Sequence, residues 1–143
     1  MIKFKVRDKA VRDLLRKMAQ KGVNLRPAMT EIKGVMVDAV EDNFEAEGRP
    51  RRWKGLKAET KEARAKRGHW PGKILQGGSA GGLKSSITGK ADGKRAIVGT
   101  NKVYGATHQY GDASRGIPKR EFLFLGRDDI EEIEEILLDH FMR

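Results

Sequence analysis

The stretch "LKSSITGKADGKRAIVGTN", residues 83–101, shifts the rhythm of this chain from apolar spacings of three and four to a period of two. "LKSSITGKA" and "KRAIVGTN" read as two strands flanking Asp92-Gly93. A tight hairpin turn prefers that pair because both of its central positions take positive φ. A hairpin set between helical segments makes an α+β layout, and the sequence on either side fills it in.

Upstream, "VRDKAVRDLLRKMAQKG" spaces Val11, Leu14, Leu15 and Met18 into one apolar stripe and meets Gly22 where a helix stops. "AMTEIKGVMVDAVEDNFEAEG" (28–48) repeats the pattern with Met29, Ile32, Met36, Val40 and Phe44. Pro27 sits where a first helical turn tolerates it, and Gly48 closes the run. A helix of about 20 residues is roughly 30 Å long. Downstream, "PKREFLFLG" (118–126) reads as a further strand, with Phe122 and Phe124 on one face and Leu123 and Leu125 on the other, both covered. "RDDIEEIEEILLDHFMR" ends as a helix, with Asp128 or a neighbouring acid at its positive end and Ile130, Ile133, Leu137 (or Ile136) and Phe141 on its buried stripe. The expected fold is a small antiparallel sheet, the hairpin plus one or two further strands, packed with a long helix in the N-terminal half and a C-terminal helix.

The 143 residues suit a single domain, 1–143, with a modest core; 38% are hydrophobic and 35% charged. With no cysteine, disulfides and thiolate metal sites are excluded. No window approaches the ~20 apolar residues of a membrane span, and "MIKFKVRDKAVRDLL" lacks the apolar run of a signal peptide. Folding in a cytosol, with no membrane partner, is the expectation. The net charge of +10 is unevenly spread. From Arg49 to Lys73 there are ten Lys or Arg against two acids, whereas Arg127 to Arg143 carries seven acids against two Arg.

Residues 49–82 read as a basic, Gly-rich, mobile excursion. "LKAETKEARAKRG" suits a short exposed helix, and Gly77, Gly78, Gly81 and Gly82 suit a hinge. Its cations Arg49, Arg51, Arg52, Lys54 and Lys57, with Trp53, fit either of two contacts. One is an acidic face on a neighbouring copy or partner; the other is a nucleic-acid backbone, with stacking from Trp53 and Trp70.

Catalytic chemistry finds little purchase. His69, His108 and His140 stand 39 and 32 residues apart, in no metal-ligand spacing, so neither a metal nor a cofactor is expected. His140 falls in the last turn of the acidic helix, where the dipole favours a cation. Ser85, Ser86 and Thr107 are the hydroxyls a His108 base would need, with Asp112 the nearby acid, but there is no G-x-S-x-G elbow. His108 with Tyr104 and Tyr110 is read instead as tying a loop to the sheet by hydrogen bonds. "GGSAGGLKSS" lacks the phosphate-loop pattern and precedes a strand, so it reads as a linker. No catalytic residue is assigned.

"FEAEGRPRRWKGL" (44–56), "ILQGG" and "GLKSSI" (74–87), "VGTNKVYGATHQYG" (98–111) and "IPKREFLFLG" (117–126), followed by an amphipathic helix, together resemble the phage virion morphogenesis family, the tail completion proteins of Mu-like phages and prophages. The residues carrying the likeness are Gly48, Pro50, Trp53, Gly99, Thr100, Asn101, Tyr104, His108, Gln109, Gly111, Pro118, Phe122 and Leu123. Arg51 and Arg52 interrupt the usual Pro-Trp step, "GGSAGG" widens another, and Gly105 replaces an alanine. The resemblance implies a non-enzymatic α+β protein of the virion, assembled in the bacterial host cytoplasm near the head-to-tail joint or tail end. It also implies that the crowded Tyr-Gly-His segment is a structural turn. The partners implied are copies of itself, as in a ring, and other tail or head-completion proteins; a basic nucleic-acid-binding protein is the alternative, with DNA as the partner.

Overall fold

The computed structural model of the chain describes residues 8–76 and 82–143. Helix α1 spans Lys9–Gln20 and α2 spans Arg26–Glu45; α3 spans Ala58–Lys66. The hairpin strands are β1, Thr88–Ala91, and β2, Ala96–Gly99; α4 (Gly105–Tyr110) and α5 (Arg127–Met142) follow. Asp8 starts α1 by accepting the Val11 N–H on its carboxylate at 3.0 Å, and Pro27 lies in the first turn of α2. The stripe read from α2 is the one it buries: Met29, Ile32, Met36, Val40 and Phe44, joined by Ala28, Ala39 and Asn43.

Helix α2 is the spine, with both α5 and the hairpin packed along it and α1 against α5. Ile133 and Leu137 of α5 and Met18 of α1 complete this core. The hairpin lies so close to α2 that a Cβ on Gly89 would come within 2.7 Å of Val37 Cγ2 and 2.8 Å of Lys33 Cγ. Phe44 is fully buried, edge-on to Trp53 (centroids 5.7 Å apart) and tilted against Phe122 (5.5 Å). That aromatic trio joins the end of α2 to the segment before α5. His140 ties the last turn of α5 to α2, its Nε2 lying 2.9 Å from Glu31.

The α+β class and the hairpin hold, but three local expectations change. The strands pair with Thr88 opposite Gly99 and Ala91 opposite Ala96, so residues 83–87 are not strand; Lys84–Ser86 forms a 3-10 turn instead. Asp92 opens the turn rather than forming its centre. Its carboxylate accepts the N–H groups of Lys94 and Arg95, and no residue of the turn takes positive φ. Finally, "PKREFLFLG" is irregular chain with a bend at Leu123 and joins no sheet, which has two strands among the described residues. Phe122 and Leu123 are nevertheless buried, as two covered faces require. Gly77, Gly78 and Gly81 lie outside the described residues.

Candidate functional site: two amide clasps and a cationic cleft

A buried segment outside any sheet must satisfy its backbone groups some other way. Gln109, 3% exposed on α4, does so from one side. Its Oε1 accepts the N–H of Phe122 at 3.1 Å and of Leu123 at 2.9 Å, while its Nε2 donates to the Leu123 carbonyl at 3.1 Å. A primary amide offers the same donor and acceptor as a peptide bond, so Gln109 stands where a neighbouring strand would. Asn43, wholly buried on α2, works from the other side, its Nδ2 donating to the carbonyls of Phe122 (2.7 Å) and Phe124 (2.9 Å). Trp53 adds its indole N–H, 3.3 Å from the Glu121 carbonyl.

The second half of this arrangement begins where α2 ends. Gly48 holds φ +113, and a Cβ there would lie 2.5 Å from the Trp53 nitrogen. The tight turn folds Arg49 back over α2. Its Nε donates to Asn43 Oδ1 at 2.7 Å, and one terminal nitrogen reaches the Ala39 carbonyl (3.1 Å) and Asp129 (2.9 Å). The same Asp129 oxygen accepts the Gly126 N–H at 2.8 Å, capping the first turn of α5. One guanidinium therefore links α2, α5 and, through Asn43, the Phe122 segment.

The structure thus divides the expected contact residues. Arg49 is half-buried and engaged in the fold, and Trp53 is half-buried against Phe44, whereas Arg51, Arg52, Lys54 and Lys57 are exposed. Arg52 pairs with Glu47 at 3.3 Å. Of the family pattern, Gly99 and Thr100 are buried, with Thr100 Oγ1 2.6 Å from Ser86 Oγ and accepting the Lys102 N–H at 3.1 Å. Asn101 and Pro50 are exposed, Pro118 is half-buried, and Gly111 ends α4 with φ +75.

The crowded segment is α4, a short helix and not a turn, and its tyrosines do not do the bridging. Tyr110 is 64% and Tyr104 41% exposed, and neither hydroxyl is hydrogen-bonded among the described residues. Gln109 bridges in their place. His108 touches Tyr104 edge-on, and its Nδ1 is buried without a partner among the described residues. Burial, then the charges of Arg120 and Arg115, push its pKa below the ordinary imidazole value. The candidate hydroxyls are engaged elsewhere: Ser85 with the Gly82 carbonyl, Ser86 with Leu83 and Thr100, Thr107 with Arg115.

His108 also faces a cleft of about 640 Å³ between α3 and the chain from Arg115 to Arg120. Lys57, Arg64, Arg67, Arg115 and Arg120 line it, and Glu59 is the one acid among its described walls. Two of these cations also brace the basic segment. Buried Arg120 donates to the carbonyls of Lys54 (2.9 Å) and Gly55 (3.1 Å), and buried Arg64 to that of Lys73 (3.0 Å). The sequence reading missed Asn43, Arg64 and Arg120 as organisers. The available signals were a polar residue beside Phe44 on an apolar stripe and a cation inside the apolar "PKREFLFLG" run.

Comparison with known proteins agrees with the motif reading. The chain is 38% identical over 135 residues to "Mu-like prophage FluMu G protein 2" of Haemophilus influenzae, covering 89% of this chain and 86% of that one. It is 32% identical over 138 residues to "Mu-like prophage FluMu G protein 1" of the same organism, covering 95% and 92%. No solved structure matches it. The phage virion morphogenesis family model matches residues 6–142, and the chain belongs to that family.

Proposed function

We propose that this phage structural protein completes the tail or joins it to the head, acting by association with copies of itself and docking to other virion proteins, without turning over a substrate. It is assembled in the host cytoplasm and retained in the virion. The observation that supports this reading is the division of charge. The exposed cations Arg51, Arg52, Lys54, Lys57 and Arg67 lie between α2 and the residue that follows α3, and the exposed acids Asp128, Glu131, Glu132, Glu135 and Asp139 lie on α5. The motif residues beneath are engaged in holding the fold, so recognition falls to the surface. Opposite patches on one molecule favour contacts between unlike faces of successive copies.

Deletion of the gene from an inducible prophage, with the intact chain supplied in trans, tests this. The expected result is separate heads and unfinished tails by electron microscopy, with joined infectious particles restored by the supplied chain. Normal yields of joined particles without it refute the proposal. The same exposed cations favour a second reading, DNA contact within the particle. That reading requires retention on duplex DNA that falls steeply with salt.

A further inference from the structure

We infer that the cleft between α3 and the Arg115–Arg120 segment receives the outer face of α5 from a second copy of this chain; this rests on, and deepens, the self-association proposed above. Arg64 carries the argument. It is 8% exposed and lines the cleft, with a terminal nitrogen engaged by the Lys73 carbonyl, yet its Nε has no partner among the described residues. His108 Nδ1, on the same cleft, is also buried and unpartnered. Buried polar nitrogens are ordinarily hydrogen-bonded, so two orphans at one concavity mark a place for atoms supplied from outside. The surrounding Lys57, Arg67 and Arg115 make those atoms anionic oxygens, although Arg115 also holds Asp112 at 2.7 Å.

The walls narrow the choice further. Leu56, Leu75, Ile117 and Pro118 line the same space, so the occupant presents apolar groups beside its carboxylates. Glu131, Glu135, Leu138 and Met142, spaced by four, three and four residues, fall on one line of α5. Glu135 has no ion pair among the described residues, and Leu138 and Met142 are 45% and 78% exposed. A line of acids followed by apolar side chains matches a cationic cleft with apolar walls. DNA offers phosphate on a convex backbone and no apolar partner for those walls. No residue of α5 lines the cleft, so each copy presents both halves of the contact at different places. The resulting interface is head-to-tail and propagates from copy to copy.

The chain has no cysteine, which makes the contact directly testable. Arg67→Cys and Glu135→Cys proteins, mixed and gently oxidised, are expected to give a disulfide-linked dimer, neither alone should, and the double variant should give a ladder. In sedimentation velocity, Arg67→Glu and Glu135→Lys should each weaken association about tenfold or more, and both reversals in one chain should restore it. Matching thermal midpoints keep misfolding out of the comparison, since both positions are exposed. Wild-type association that survives both reversals, with no cross-link, overturns the inference and leaves self-association standing. A wild-type chain monomeric at every concentration overturns both. Loss of DNA retention in Arg67→Glu, with association unchanged, makes the cleft a nucleic-acid contact and also overturns it.

Discussion

Replacing Gln109 with methionine keeps the length and most of the volume of a side chain that is 3% exposed while removing its amide. Three backbone groups then lose their partners inside the core: the N–H of Phe122, the N–H of Leu123 and the carbonyl of Leu123. Each buried group left unsatisfied costs about 1–3 kcal/mol; allowing for local relaxation, the sum is about 3–5 kcal/mol. Against a typical domain stability of about 5–15 kcal/mol the variant still folds, but with a large share of its margin gone. For 143 residues, roughly 3 °C of melting temperature accompanies each kcal/mol, which places the expected drop at about 10–15 °C. Urea unfolding followed by far-UV circular dichroism and by tryptophan fluorescence measures it, with an unchanged denaturant slope showing that stability alone moved. Tyr110→Ala, one residue along and 64% exposed, is the control and should stay within about 0.5 kcal/mol. A Gln109→Met protein within about 1 kcal/mol of the parent would refute the idea that this amide substitutes for a strand.

Arg49→Met strips the links to Asn43, the Ala39 carbonyl and Asp129, and should cost about 2–3 kcal/mol in the same urea assay even though its methylene stem is kept. Gly48→Ala forces a Cβ to within 2.5 Å of the Trp53 nitrogen at φ +113; it should cost about 2 kcal/mol or more and alter Trp53 emission. The depressed pKa of His108 means the unfolded chain binds this proton more tightly than the folded one. Its contribution is therefore complete above the unfolded imidazole value near 6.5 and is lost as pH falls below it. Urea midpoints should decline as pH falls below about 6.5, and His108→Gln should flatten that decline; an identical slope in the variant would count against the burial argument.

Periodicity made α1, α2 and α5 readable because each buries one face against a neighbour, and the change to period two marked the hairpin for the same reason. The segment 118–126 shows where side-chain periodicity stops being informative. Alternating Phe and Leu correctly announced two covered faces, but a pattern of side chains carries no information on what satisfies the backbone, and here amides from Asn43 and Gln109 do it. Those partners lie 79 and 14 residues away along the chain, beyond any local spacing rule. Gln109 was named among the motif residues, yet aromatic and histidine neighbours drew the mechanical role to themselves. Asp92 differs: an Asp-Gly pair fits two turn geometries, and the carboxylate's hold on the N–H groups of Lys94 and Arg95 selects the one with no positive φ.

The basic run from Arg49 to Lys73 looks uniform as sequence, and folding makes it two populations. Arg49 and Arg64 turn inward, each reaching a main-chain carbonyl, and from beyond the run Arg120 does the same for Lys54 and Gly55. Three cations thus fix the path of the segment that displays Arg51, Arg52, Lys54 and Lys57 to solvent. A guanidinium suits the inward task because its planar fork bonds several acceptors at once and stays charged when partly buried. Exposed Arg51, Lys54 and Lys57 make no such bond among the described residues, and Arg52 makes only a surface pair with Glu47, so reversing them changes surface potential with little change in stability. Losses of assembly from Arg51, Arg52, Lys54 or Lys57 therefore report on contact, whereas the same losses from Arg49, Arg64 or Arg120 report first on fold. A charge scan that pools the two groups would attribute to recognition an effect that belongs to the architecture.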